Sequence, residues 1–145
     1  MQKTIHDNLN GLLADTLVLE QKLRHYHWNV QGPQFFALHA KFEELYDRFA
    51  DVIDDVAERI LTIGGKPIRT LTGALAASAI KEDDGQPEAM AMVRNLRADL
   101  EGLHERAVKG IAAAEEANDR GTVNLLDGLN DEIEKTLWML KATLS

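Results

Sequence analysis

The stretch from His27 to Glu58 carries five side chains whose types and placement together suit a divalent cation: His27, His39, Glu43, Asp54 and Glu58. Imidazole nitrogens and carboxylate oxygens suit Fe(II), Zn(II) or Mn(II) better than soft Cu(I). With few protein ligands on each ion, coordination positions stay open for water or an oxidant. The two histidines stand symmetrically about Gln31-Gly32-Pro33, His27 six residues before Pro33 and His39 six after it. Two helices joined by so short a turn pack antiparallel, so the imidazoles can face each other across the hairpin.

The acids extend along the second of these helices. At about 100° per residue from His39, Glu43 falls at about 40°, Asp54 at about 60° and Glu58 at about 100°, all on one flank. They cannot share one ion. Glu43 and Asp54 are eleven residues apart, a rise of roughly 16 Å, against a metal–ligand bond of about 2 Å. The chain therefore holds two half-sites: His27, His39 and Glu43 near the hairpin, and Asp54 and Glu58 toward the far end. One solution is a twofold dimer in which this helix crosses its mate near Arg48 and Phe49. The histidine half of one chain then meets the acidic half of the other, twice, as an isologous interface requires.

Each candidate also has a plain structural reading. His27 and His39 could be hydrogen-bonded interface histidines, and Asp54 and Glu58 an i, i+4 pair on a wet surface. Taken singly, those readings are the better ones; four such residues at complementary positions on two half-sites favour the metal. A di-iron site inside a bundle takes a Glu from each of two helices and Glu-x-x-His from each of the other two. This chain has one such motif, Glu101-Gly102-Leu103-His104, and no second. Glu101 and His104 therefore read as a solvated helix face. His6 and His25 have no ligand partner at helical spacing and read as surface residues. Trp28 and Trp138 read as packing residues, with Trp28 close enough to the histidines to report on metal binding.

Periodic apolar positions define the elements that must carry these groups. A first helix is expected over about Thr4 to Val30, with Ile5, Leu9, Leu12, Leu13, Leu17, Leu23 and Val30 inward and Thr4 with Asp7 as a capping box. A second runs from Pro33 to Ile63. Its apolar face is Phe35, Phe36, Leu38, Phe42, Leu45, Tyr46, Phe49, Ile53, Val56, Ile60 and Ile63. Gly64-Gly65 supplies a left-handed cap and Pro67 blocks continuation. The connection from Gly65 to Gln86 is long for a structureless loop. Leu71 to Ile80 is small and apolar and predicts a short helix within a crossover that starts the third long helix at the opposite end. The third helix is expected from about Pro87 to Asn118, with Val93, Leu96, Leu100, Leu103, Ala107, Ile111 and Ala114 inward. The fourth runs from about Gly121 to Leu144, with Leu126, Leu129, Ile133, Leu137 and Leu140 inward. The fold class is all-α, a four-helix bundle with one crossover.

Composition sets outer limits. A chain of 145 residues suits one domain, 1–145. The absence of cysteine excludes disulfides, thiolate zinc and iron–sulfur clusters. Met1 to His6 leads straight into an amphipathic helix rather than a signal peptide, and no apolar run reaches membrane length, so a soluble cytoplasmic protein is expected. The net charge of −8 argues against nonspecific nucleic-acid binding and suits a protein that attracts cations.

The motif His27-Trp28-Asn29, Gly32-Pro33, Phe35, Leu38-His39, Phe42-Glu43, Tyr46, Asp54 and Ala57-Glu58-Arg59-Ile60, with Trp138-Met139-Leu140 near the C-terminus, resembles that of the Dps-like miniferritins. These are the DNA-binding proteins from starved cells, and the resemblance covers essentially the whole chain. It implies a ferritin-like bundle with an intersubunit ferroxidase centre. His27 and His39 match the family's ligand histidines, Asp54 and Glu58 match its acids from the partner, and Trp28 matches a tryptophan beside the centre. Glu43 stands where many members have Asp, which keeps a carboxylate but sets it about one methylene further out, at the weaker second metal position. The resemblance further implies iron as the metal, with zinc or manganese as substitutes, hydrogen peroxide as preferred oxidant, and ferric mineral stored in a homo-oligomeric dodecameric shell. Acids at threefold pores would admit iron; candidates are Asp119, Asp127 and Asp131, with Asn124 where many relatives have an acid. The alternative function is a DNA-coating stress-protection protein with a secondary metal site. DNA binding in the family often uses a Lys-rich arm, whereas here only Lys3 precedes the first helix and the chain ends at Ser145 after Lys141. DNA binding therefore ranks below iron oxidation.

Overall fold

The computed structural model describes residues 2–145. Its helices are α1 (Gln2–Asn29), α2 (Phe35–Thr62), α3 (Leu71–Ala77), α4 (Ala89–Glu116) and α5 (Arg120–Thr143), and no strand occurs among the described residues. α1 packs against α2, α3 and α4, and α4 packs against α5. One continuous cluster fills the centre, with Leu9, Leu12, Leu19, Leu23, Phe42, Val56, Ile60, Leu96, Leu100, Leu103 and Leu126 fully enclosed.

The hairpin follows from its turn residues. α1 ends at Asn29, and Val30 still donates its N–H to Tyr26 O (2.9 Å) and stays buried. Gly32 then takes φ 107°, a left-handed conformation that only glycine adopts cheaply. Pro33 lies in the turn, whereas the sequence had indicated a helix starting there. Helix α2 begins two residues later at Phe35, whose N–H reaches Gly32 O at 3.0 Å. At the other end Gly64 (φ 85°) donates to Leu61 O and Gly65 to Ile60 O, closing α2 as the Gly64-Gly65 pair predicts. α4 ends likewise on a left-handed residue, Asn118 (φ 60°).

Two expectations about helix surfaces fail. Phe36 is 85% exposed rather than core-facing, because its neighbour Phe35 takes the inward direction and the next position lies about 100° round the helix. Thr4 and Asp7 form no capping box, since α1 already begins at Gln2; Asp7 instead pairs with Lys3 at 2.9 Å.

Buried polar anchors fasten the crossover to α1. Asp15, only 1% exposed, accepts from Ser78 Oγ (2.9 Å) and Ala79 N (2.8 Å) and pairs with Arg106 of α4 at 2.9 Å. Lys22 donates to Lys81 O at 2.8 Å and lies 2.7 Å from Asp99. Burial pushes the Asp99 carboxyl up, against the pull of Lys22. Tyr26 donates its hydroxyl to Asp83 (2.6 Å), and burial together with that carboxylate raises the phenol well above its ordinary value. His6 and His25 also belong here. Both are half-buried rather than on the surface, because His6 contacts Ile63 O at the end of α2 (3.2 Å) and His25 contacts Gly85 O on the returning chain (2.9 Å).

Asp15→Ala should therefore cost about 3 kcal/mol, because it strands Arg106 and the Ala79 N–H together. Denaturant unfolding checks this; a change below about 0.5 kcal/mol would fall to the level of an ordinary surface substitution and would show that Asp15 does not anchor the crossover.

Candidate metal centre

The two histidines meet across the hairpin as the spacing predicts, and the manner of their meeting is informative. His27 Nδ1 lies 2.7 Å from the His39 carbonyl, and His39 Nδ1 lies 2.7 Å from the His27 carbonyl. A carbonyl only accepts, so each Nδ1 must carry the proton and donate. In the neutral ring the lone pair then sits on Nε2. The rings stack with centroids 3.8 Å apart and 12° between planes, and Phe35 continues the stack against His39 at 4.8 Å. Reciprocal bonding thus fixes both tautomers and leaves two ring nitrogens ready for a ligand.

Glu43 joins this half. Its Oε1 lies 3.7 Å from His27 Nε2. Both atoms are acceptors while His27 is neutral, so they face one another without a proton between them. Two bonds of about 2 Å would span that gap, so one cation could touch both atoms. Tyr46 borders the pair. Its ring meets His27 edge-on at 5.3 Å, its hydroxyl reaches the same Glu43 Oε1 at 3.5 Å, and the Arg24 guanidinium lies 4.2 Å above its face. Partial burial and the Glu43 and Asp47 carboxylates hold the phenol above its ordinary value. Sequence reasoning used Tyr46 as an apolar helix position and a motif residue, gave it no role at the site, and missed Arg24. The spacing of Glu43 and Tyr46 was legible, but the stacking of Arg24 depends on how α1 packs against α2.

Asp54 and Glu58 stand exposed one turn apart on the same straight α2. The structure brings them to neither histidine. Among the described residues no group of three or more His, Asp or Glu side chains is arranged to hold a metal ion. Phe49 is buried in its own core and Arg48 makes a two-pronged ion pair with Glu132 of α5 (2.7 and 3.0 Å). Phe49 therefore faces inward, while Arg48 stays partly exposed beside Glu132. Trp28 is 60% and Trp138 65% exposed, so neither packs inside the chain. Trp28 borders a cavity of about 620 Å³ between α1 and the crossover, together with Leu17, Leu71, Ala74 and Leu75.

Residues set aside on sequence grounds stay aside. His104 bonds Glu134 of α5 at 2.9 Å and Glu101 pairs with Arg97 at 3.1 Å, on a solvated face. Of the pore candidates, Asp127, Asp131 and Asn124 are exposed. Asp119 is different: it caps α5 by accepting from Thr122 N (3.1 Å) and pairs with Arg59 at 2.7 Å. Burial opposes its ionisation, but the Thr122 bonds and Arg59 outweigh that and hold the carboxyl below its ordinary value.

Residues 6–145 match the family of ferritin-like domains. "DNA protection during starvation protein 2" of Bacillus anthracis is 45% identical over 145 residues, covering 100% of this chain and 99% of that one. The Dps crystal structure from Bacillus brevis superposes with a TM-score of 0.97 at 42% identity, covering 99% of this chain and 97% of that one. A Dps protein from Vibrio cholerae, described as a member of a broad superfamily of ferritin-like diiron-carboxylate proteins, gives 0.96 at 38% identity, with 99% and 91% covered. This chain belongs to the Dps-like miniferritins. The ferritin-like fold of that family accounts for the five helices, with α3 in the long connection between α2 and α4. No helix among the described residues is long and apolar enough to cross a membrane.

For this miniferritin the depressed Asp119 carboxyl carries a pH signature. Its folded value lies below the unfolded one, so its contribution to stability is complete above about pH 4 and is lost as pH falls through the folded value. Asp119→Asn should therefore destabilise the fold at neutral pH and progressively less below about pH 4. Urea unfolding of both proteins across that range tests this; a pH-independent difference would remove the Arg59 pairing as its cause.

Proposed function

We propose that the protein oxidises Fe(II) at centres shared between two copies of the chain and stores the ferric product in a hollow homo-oligomeric shell. The observation that carries this reading is the half-built site. His27 and His39 each commit Nδ1 to a carbonyl and leave Nε2 free, with Glu43 beside them, while Asp54 and Glu58 stand exposed on the same helix beyond reach. A partner related by a twofold axis would supply the missing acids, and would receive the same in return. Exposed apolar side chains near the histidine end, Trp28, Leu71 and Leu75, support a partner on this side of the chain.

Fe(II) is the substrate in this reading. Imidazole nitrogen and carboxylate oxygen hold it, and the carboxylates favour the ferric charge that develops. Hydrogen peroxide is the proposed oxidant. Two Fe(II) give one electron each, the O–O bond breaks, and with two protons the oxygens leave as two waters. Iron consumed this way cannot reduce peroxide to hydroxyl radical, which would protect DNA without touching it. Zinc or manganese are proposed as substitutes at the same ligands. A dodecameric shell and a cytoplasmic location complete the proposal, with Asp119, Asp127 and Asp131 as pore candidates.

A DNA-coating role is the second reading, favoured by the name of the Bacillus anthracis relative. The net charge of −8 opposes it. Neutralising several phosphates needs clustered cations, whereas Lys3, Lys41, Arg48, Arg59 and Arg97 are each paired with an acid of the same chain. The protein should leave linear duplex DNA unretarded at neutral pH and moderate salt. A tight, salt-sensitive complex in a gel shift would make DNA coating the leading function.

The divided centre is tested by mixing. One variant carries His27→Ala and His39→Ala, the other Asp54→Asn and Glu58→Gln; each alone should be nearly inactive. After the two are unfolded and refolded together, about half of the dimers pair unlike chains, and each of those has one intact and one doubly damaged centre. About a quarter of all centres should then recover Fe(II) oxidation. No recovery, in a mixture of the same assembled mass as the parent, would mean that no centre joins two chains.

A further inference from the structure

We propose that Tyr46 is a positioning residue that holds Glu43 Oε1 where a cation bound by His27 Nε2 would meet it. This deepens the divided-centre reading and rests on it. Glu43 is exposed and on its own would sample many rotamers. Its Oε1 is nevertheless the oxygen that lies nearest both groups, 3.7 Å from His27 Nε2 and 3.5 Å from the Tyr46 hydroxyl. A phenol donates and a carboxylate accepts, so this long hydrogen bond steers that oxygen toward the ring nitrogen.

Tyr46 can restrain Glu43 only if it is itself held, and α1 holds it from two sides. Arg24 stands 4.2 Å over the face of the ring, and the His27 ring lies 5.3 Å away with 82° between planes. Arg24 is in turn tied to Glu20 at 3.3 Å. Cation–π attraction favours the guanidinium over the ring face, and a perpendicular arrangement is a favoured one for two aromatic rings. The series Glu20, Arg24, Tyr46, Glu43 therefore runs from α1 to α2 and ends at the carboxylate whose reach is in question. With the extra methylene of Glu over Asp, such a restraint is what makes a long side chain an effective ligand, because the ordering cost falls before the cation arrives.

Cobalt(II) binding to the assembled protein, read by calorimetry and by its ligand-field spectrum, tests the proposal. Tyr46→Phe keeps the ring and removes the hydroxyl. It should weaken the Glu43-dependent cobalt site by about two- to tenfold and move the spectrum toward that of Glu43→Gln. In a Glu43→Gln background Tyr46→Phe should change nothing further, because the two act through one interaction. Arg24→Gln should give a loss of the same sign, again only while Glu43 is present. Equal losses with and without Glu43 would mean that Tyr46 serves packing alone, and no loss in either background would equally overturn the proposal. If His27→Ala with His39→Ala leaves cobalt binding intact, the divided-centre reading fails too. If that pair abolishes binding while Tyr46→Phe matches the parent, only the role of Tyr46 falls.

Discussion

The reciprocal bonds between His27 and His39 do two jobs with the same atoms. Each ring nitrogen that bonds a carbonyl draws α1 and α2 together beside the turn of their hairpin, and the His27 carbonyl, in the last turn of α1, is one that the helical ladder leaves without a partner. The same bonds decide the tautomer, so the nitrogen left over points away from the backbone. Had either ring bonded through Nε2, its lone pair would sit on Nδ1, closer to its own main chain. Stacking at 3.8 Å then limits how far the rings can turn. Helix pairing and ligand preparation are thus one constraint, and the turn at Gly32 and Pro33 exists at the length that permits it.

Much of the fold could be read in the chain because it rests on local rules. Gly64 and Asn118 end α2 and α4 in left-handed conformations, and the apolar positions of α4 and α5 face the core almost without exception. The short helix in the connection was legible too, although it stops at Ala77 rather than Ile80. Misses occur where the deciding partner is distant in sequence. Phe36 obeys an apolar pattern but lies off the packed stripe. His6 and His25 meet carbonyls roughly sixty residues away, His6 at the end of α2 and His25 where the crossover returns over α1. Asp15, Lys22 and Tyr26 carry no local signal of burial; their partners Ser78, Lys81 and Asp83 become neighbours only in the folded chain.

The site divides along the same line. Types and spacing expose His27, His39, Asp54 and Glu58, because a helix of known rise is a ruler. The contacts around Glu43 are hidden, because Arg24 over Tyr46 is a contact between helices. Asp119, one of the pore candidates, also has a structural role that its position at the start of α5 signals: an Asp there is an N-cap, and Arg59 pairs with it.

The length of α2 explains why a centre of this kind should be shared. A helix cannot fold its Asp54 turn back onto its His39 turn without breaking several backbone hydrogen bonds, each costly to leave unmade inside a protein. A second copy related by a twofold axis brings the distant turn across without bending anything, and the operation that supplies one centre supplies the other. The buried anchors on α1 then acquire a purpose beyond stability. By fixing the crossover through Asp15, Lys22 and Tyr26, they keep α3, with exposed Leu71 and Leu75, beside Trp28 and next to the histidines. On the proposed reading, that face is where assembly and metal binding become coupled. Apolar contact would bring the two copies together, while the acids of α2 repel one another until a cation lies between them and the histidines. Cation binding and pairing would then reinforce each other, because each relieves a cost that the other leaves standing.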